Sequence, residues 1–561
     1  MSEPRDPPRW PMTFDLPASP AWRHRVRALR PAAYVLLGTV LAVTWAQYQY
    51  RQGRDVRRAD RAVQAAEKAL SRWRQNPDDS RAAEEARAAL AAAGAIDRTV
   101  GAIPRWTIAV RRFWAGENIY GPHPQVERGD PLTGQPLAPL PETPTWPVPP
   151  DSIEEALRSP IFLHPNMPFV VVLLTPLAWL PLSAVVAIVC ALKVAVLALA
   201  VIACAKVANH RDHRMGDWVM GWAVLMTLPL IISDLQHGNT NLFVLGAIAG
   251  HLWLYRRGRD AWAGGVLALG VCLKLTPILF GLYWLYQRNW RLLGGLVAGL
   301  AILAVLVPLA AMGPDRYEQS VGDWMNNLIV PSAVGGVPFP DHINQSLPGV
   351  FVRLFMHGNI YFNPDDSPTA DKFEYINFVS LSPAAGRAVL TALRAIVVAL
   401  MAWAIGWRKL PRDDGRRMLH YGLIVTGMLI LNQRSWDHHA AVLLVAHAGM
   451  WYGIIYGRMR SSVRLACLTL ATVAMVLVLA MGKDLFRLLA PGDPERAKRL
   501  AAVVEAYGPT FAHFVLVFAA CVILLRALRP ARTGDEPYGT ARQELRRMNG
   551  ECGVIRSTSR P

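Results

Sequence analysis

The chain has 561 residues, with 59 Lys and Arg against 41 Asp and Glu for a formal net charge of +18; 53% of it is hydrophobic and 18% charged. Soluble chains carry about 25% charged residues; here mean hydropathy is +0.22 and the apolar residues come in blocks of about 17 to 23, which excludes soluble classes and describes a polytopic membrane protein. Lys and Arg gather in short stretches beside those blocks, so the charge orients a bundle and does not mark a nucleic-acid surface. The six cysteines stand singly and mostly inside apolar blocks, without the paired spacing of a disulfide frame or a zinc site.

Residues 1–30 are rich in Pro and Arg and read as a cytoplasmic tail. Residues 31–50 form the first span, long enough to stay as an anchor and not be cleaved as a signal. Residues 51–165 form a large extracytoplasmic loop. Its stretch of about 58 to 95, Ala-, Arg- and Glu-rich and broken at Asn76-Pro77-Asp78-Asp79-Ser80, predicts an αα-hairpin with a capped turn. Residues 131–150 hold eight prolines and form an extended linker.

A membrane bundle is expected over 166–312. The short block 166–181, with Pro168, Pro176 and Pro181, is the candidate for a segment that does not cross, since thirteen blocks are odd while both termini read as cytoplasmic. Spans follow at about 184–206, 217–235 and 241–256. The block 262–286 is flanked by Arg256, Arg257 and Arg259 on one side and by Arg288 and Arg291 on the other, so both ends favour the inside. Two short helices turning near Lys274, Thr276 and Pro277 satisfy that bias, and one kinked helix is the alternative. After a span at about 292–312, residues 313–384 form a second large outer loop. Residues 385–527 return to the membrane with an Arg-rich inner loop around Arg412, Arg416 and Arg417, and 528–561 form a basic cytoplasmic tail. The expected fold is all-α, a bundle of about 12 spans with helices in its outer loops, in the plasma membrane.

Polar residues at span ends are the informative ones, because each costs free energy in hydrocarbon unless it meets a cavity or a partner. Five groups fall on the outer side of this topology. Gly116-Glu117-Asn118-Ile119-Tyr120, with Asp97 upstream and His164-Pro165-Asn166 downstream, supplies carboxylates suited to general-base work; a solvated Glu after a helix-ending Gly is the plainer reading. Asp234 to Asn241 packs five strongly polar side chains between two spans, with Asn239 and Asn241 suited to hydroxyl or phosphate groups. Lys274 either snorkels or pairs with an anion such as a lipid phosphate. The second outer loop carries Asp323 beside Trp324, then His342, Asn344 and Gln345, a mixture suited to sugar rings and hydroxyls. Asn432 to His439 brings Arg434 as a phosphate partner and the adjacent His438 and His439, which lie about 100° apart on a helix and so do not make a metal pair.

Across these runs, and across Asn344-Gln345-Ser346-Leu347 and Ser435-Trp436-Asp437-His438-His439 together, the chain resembles glycosyltransferase family 87 of the GT-C superfamily over about residues 100–480. The resemblance implies an all-helical membrane enzyme that moves a hexose, often mannose, from a polyprenyl-phosphate donor to a lipid or glycan acceptor on the extracytoplasmic face, with inversion. It implies no cofactor and no metal; the partners are the lipid-linked donor, the acceptor and membrane lipids, with no nucleic acid. Members carry an Asp upstream of the Gly matching Gly116, where this chain reads Gly101-Ala102-Ile103-Pro104-Arg105-Trp106. Asp97, Glu117 and His439 are then the catalytic candidates, and His164, Asn239, Asn241, Lys274, Asp323, His342, Asn344, Gln345, Arg434 and His438 the substrate-binding ones. A transporter of lipid-linked glycans and a non-catalytic glycan-binding relative are the rival readings.

Overall fold

The computed structural model describes residues 61–95, 102–120, 166–209, 214–334, 339–361, 374–407, 409–480 and 489–528, with a few isolated positions besides. Most of the first span, the Pro-rich stretch 131–150, both tails, Asp97 and His164 lie outside them. Among the described residues there are helices and no strands.

The helices are α1 (Ser80–Ala95), α2 (Ala102–Trp114), α3 (Pro168–Ala178), α4 (Leu182–Ala208), α5 (Asp217–His237), α6 (Asn241–Arg256), α7 (Asp260–Leu273), α8 (Ile278–Tyr286), α9 (Trp290–Met312), α10 (Pro314–Trp324), α11 (Leu347–Phe355), α12 (Pro383–Ile405), α13 (Arg416–Leu431), α14 (Leu444–Tyr456), α15 (Ser461–Ala480), α16 (Pro494–Ala506) and α17 (Pro509–Ala527). Among the described residues, seven helices are long and apolar enough to cross a membrane. The shorter α6, α7, α8 and α13 are packed among them, so hydropathy blocks and full-length helices do not correspond one to one.

Contacts at the termini sort the bundle into two ends. At one, the Tyr456 hydroxyl accepts from Gly216 N at 3.0 Å, Arg256 reaches Val207 O at 3.0 Å, and Arg412 bonds both oxygens of Asp260 at 2.5 and 2.7 Å. This is the basic end, where α4, α6, α8 and α14 finish and α5, α7 and α13 begin. The opposite end gathers the turn after α5, the break between α7 and α8, the loop after α13, and α11 and α16. α13 and α14 are buried along nearly their whole length, whereas α9, α12 and α15 show exposed faces of Val297, Trp403 and Leu465, as expected of helices that face lipid.

The block 262–286 resolves into two helices. Lys274 takes an extended conformation (φ −160°, ψ 128°), and the new helix starts after Pro277. α7 packs closely on α9 through glycines: a Cβ on Gly264 would lie 2.1 Å from Leu292 O, and one on Gly295 2.1 Å from Ala261 O, so only residues without side chains let these backbones meet. Outside the bundle, the helical run 61–75 and α1 close the expected hairpin over Trp73, Leu70 and Leu90, and the Asp79 carboxylate caps α1 by accepting from Arg81 N and Ala82 N at 3.0 and 3.1 Å.

Candidate active site

α5 is capped by Gly238, whose left-handed φ of 64° starts the three-residue turn Gly238-Asn239-Thr240 into α6. That turn places Asp234, on the last turn of α5, beside Asn241, the first residue of α6. Asp234 is fully buried and meets Lys193, which projects from the middle of α4 and is also fully buried. The Lys193 ammonium donates to Asp234 Oδ2 at 2.8 Å and to the Asp234 carbonyl at 3.0 Å. Asn241 Nδ2 donates to the other carboxylate oxygen at 2.9 Å, and Asn241 Oδ1 accepts from Lys274 Nζ at 2.8 Å. Four side chains from α4, α5, α6 and the α7–α8 break thus form one line, Lys193–Asp234–Asn241–Lys274. Lys274 stands where the helix breaks.

Beside this line lies an imidazole cluster. His237 and His438 stack with centroids 4.6 Å apart, and His438 meets His439 edge-on at 4.6 Å. Asn239 Oδ1 accepts from Thr240 N at 2.7 Å, which fixes the amide so that Nδ2 donates to His438 Nε2 at 3.0 Å. Neutral His438 therefore carries its proton on Nδ1. The Trp436 N–H donates to His439 Nδ1 at 3.3 Å, so neutral His439 carries its proton on Nε2; the same ring also hydrogen-bonds the Arg434 main chain. Lys274, Asn241 and His439 line a cavity of about 10 Å³ with Thr276 and Asn432, on the scale of one water.

An apolar groove reaches the same place. It has a volume of about 800 Å³ and lies between α4 on one side and α6 and α7 on the other, with Ile103 and Trp106 of α2 and Leu173 and Leu177 of α3 over it. From Val189 to Lys206 of α4 it runs about 25 Å at 1.5 Å per residue. Gly238, Asn239 and Thr240 line one end and Lys206 the other, so a head group at the first end would meet the amide and imidazole cluster.

The 432–439 loop is held by a second polar region. Asn344, fully buried, donates to Phe339 O and Gln433 O at 2.9 Å each and accepts from Ser346 N and Ser435 N at 3.2 and 3.0 Å. Gln345 donates to His342 O and Glu505 O at 2.7 and 2.8 Å and accepts from Phe511 N at 3.4 Å. His342 pairs with Glu505 at 2.8 Å. Arg353 of α11, fully buried, donates to the carbonyls of Ala506, Asp341 and Asn344 at 2.8, 2.6 and 2.9 Å; burial pushes its pKa down to about 9, against the pull of Asp341 and Glu505. Arg434 lies over the Phe339 ring, 3.5 Å from its centroid.

Glu117 and Asp323 belong to a third group. Gly116, at φ 97°, ends α2, and Glu117 follows with 42% of its side chain exposed and Arg112 at 4.0 Å. Asn118 Nδ2 donates to Asp323 Oδ2 at 2.9 Å, and Asn327 Nδ2 donates to Tyr120 O at 2.7 Å. Phe113, Tyr120 and Trp324 form the apolar floor with Val171 and Ala178 of α3; the opposite side of α3 borders the groove.

The five groups read from the sequence thus come together at one end of the bundle as three regions. Asn239, Asn241, Lys274, His438 and His439 converge, Glu117 and Asp323 share a patch next to the groove, and His342, Asn344, Gln345 and Arg434 lie around the loop that carries the histidines. Lys193 did not stand out in the sequence, although an ammonium in the middle of the 27 largely apolar residues of α4, far from the terminal Lys206, is a signal for a buried partner. Among the described residues, no group of three or more His, Cys, Asp or Glu is placed to hold a metal ion.

The model of glycosyltransferase family 87 matches residues 162–432, a range that takes in the groove apart from Ile103 and Trp106, the Lys193–Lys274 line and the start of the histidine loop. A protein of Mycobacterium tuberculosis (strain ATCC 25618 / H37Rv), the polyprenol-phosphate-mannose-dependent alpha-(1-2)-phosphatidylinositol mannoside mannosyltransferase, is 26% identical over 331 residues, covering 56% of this chain and 67% of that protein. No solved structure matches.

Proposed function

The chain belongs to glycosyltransferase family 87 and is a membrane glycosyltransferase, and from that premise we propose that it transfers a hexose, mannose in the first place, from a polyprenyl-phosphate donor to a lipid or glycan acceptor on the extracytoplasmic face. The observation that carries this reading is the apolar groove ending at Gly238, Asn239 and Thr240. A prenyl chain is an extended apolar ligand, and a long groove whose end at Asn239 adjoins the amide and imidazole cluster suits a phosphate head there with the sugar beyond it. The dependence of the mycobacterial relative on polyprenol-phosphate-mannose supports the choice of donor.

The chemistry assigns roles to the site as follows. The acceptor hydroxyl attacks the anomeric carbon while the bond from that carbon to the phosphate oxygen breaks, and the lipid phosphate leaves with one additional negative charge. Lys274 meets that charge, and His439, with its proton on Nε2, stands beside it at the cavity. The same tautomer leaves His439 poorly suited to be the base, because its lone pair on Nδ1 is turned to Trp436 N. A carboxylate takes the hydroxyl proton; Glu117 is the described candidate and Asp97 the other. Asn239 and His438 hold the head group, and Asp323 with Asn118 faces the acceptor side. Asn344, Gln345, His342 and Arg434 act through the loop that they shape.

Purified protein in lipid nanodiscs, given radiolabelled polyprenyl-phosphate-mannose and a lipid extract, is expected to move label to an acceptor. Glu117→Gln or Asp97→Asn is expected to lower kcat strongly with little change in donor KM, and His439→Ala to affect both. Absence of donor turnover and of donor binding would sink the reading, and full activity in both carboxylate variants would remove the assigned base.

A further inference from the structure

The line from Lys193 to Lys274 holds two ammonium groups and one carboxylate, all inside the bundle. Charges in such a place are costly unless paired, so the way they are paired matters. Asp234 is taken up on both sides: Lys193 bonds Oδ2 and the backbone carbonyl, and Asn241 bonds Oδ1. Asn241 thereby has its amide nitrogen turned to Asp234 and its carbonyl oxygen turned to Lys274. Lys274 receives a neutral acceptor, and among the described residues no carboxylate lies within 4.0 Å of its ammonium. With both lysines protonated and Asp234 ionised, one positive charge is left over, and it stands at the cavity shared with His439.

Removing Lys193 reverses this arrangement. Asp234 would be a buried carboxylate without a cation, and the nearest available ammonium is Lys274, one amide away. The two would neutralise each other, and the phosphate would lose its counter-charge. We propose that Lys193 is a positioning residue of the active site: it cancels the charge of Asp234 and fixes Asn241, so that Lys274 keeps an uncompensated positive charge for an anionic phosphate. The ligand chemistry is a phosphate group, and its assignment to a lipid phosphate rests on the function proposed above.

The test uses full-length protein in nanodiscs and reads donor KM, acceptor KM and melting temperature for Lys193→Met, Lys193→Met/Asp234→Asn, Lys274→Met and Lys193→Met/Lys274→Met. Loss of a charge-assisted contact predicts a donor KM raised about tenfold or more in Lys193→Met, with acceptor KM unchanged. Lys193→Met/Asp234→Asn restores charge balance and is expected to return donor KM to within about threefold of the starting value. In the Lys274→Met background, Lys193→Met is expected to add nothing, since the residue acts through Lys274. A Lys193→Met protein with lowered melting temperature but unchanged donor KM, or additive effects in the cycle, overturns the proposal. Should Lys193→Met not fold, a double variant with donor KM raised as far as in Lys274→Met overturns it equally.

A second arm measures the shift in melting temperature caused by polyprenyl phosphate and by inorganic phosphate, in wild type and in Lys193→Met/Asp234→Asn with Lys274 present or replaced by Met. Stabilisation by either ligand that needs Lys274 and survives the paired replacement supports the relay, and the more effective ligand identifies the source of the phosphate. Stabilisation that does not depend on Lys274, or none at all, overturns it. Wild-type protein that turns over no donor but shows Lys274-dependent stabilisation removes the transferase reading and leaves the relay standing.

Discussion

The turn from Asp234 to Asn241 and the loop from Asp341 to Arg353 are both crowded with amides, carboxylates and imidazoles, and both lie at the same end of the bundle. They use that polarity in opposite ways. In the loop, Asn344, Gln345 and Arg353 direct their polar atoms almost entirely at main-chain carbonyls and amides, including those of Gln433, Ser435, Glu505 and Ala506. In the turn, the bonds run from side chain to side chain and end at Lys274, His438 and His439, beside a cavity and a groove. Polar density in a membrane protein therefore has two physical uses. One satisfies backbone groups that irregular chain leaves unpaired; the other presents charge and hydrogen-bonding capacity to a ligand. What separates them is where each donor and acceptor is directed.

The contrast can be broken by substitution, and the largest effect is expected in the loop. Arg353→Met deprives the Ala506, Asp341 and Asn344 carbonyls of their common donor, and a loss of about 3 kcal/mol or more is expected, read as a large fall in melting temperature or in folded yield. Asn344→Ala removes four hydrogen bonds at once and is expected to cost about 2 to 3 kcal/mol; the activity that remains should follow the folded fraction, with KM unchanged. Lys274→Met, in the turn, should do the reverse: a near-normal melting temperature with donor kcat/KM lower by about a hundredfold. The smallest effect is expected from Ala203→Trp, which lines the groove far from the polar cluster. It should lower kcat/KM about tenfold for a long-chain polyprenyl donor and leave a short-chain analogue nearly untouched. Equal effects on both donors would place the prenyl chain elsewhere.

Much of this was legible before any coordinates. Hydropathy and Arg-rich punctuation indicated a helical membrane bundle, and the opposed charge bias around 262–286, with Pro277, indicated a break at Lys274. Asn76 to Ser80 marked the hairpin turn through its capping residues. The short motifs, in order, pointed to the family that the comparisons then matched. These features are local or additive along the chain: hydropathy sums over a span, a proline breaks its own helix, and a cap needs only its neighbours.

The tertiary structure decided what those local rules cannot reach. Lys193 and Asp234 are 41 residues apart, and only the packing of α4 against α5 and α6 makes them partners. Asn344 and Asn241 are chemically the same side chain, yet one binds a loop together and the other links Asp234 to Lys274, because different groups from distant parts of the chain surround them. The groove is likewise a relation among helices, a gap left by the side chains of α4, α6 and α7, and no one segment encodes it. Composition and period settled the kind of molecule, while the partner that each buried polar group finds settled which residues are scaffold and which face the substrate.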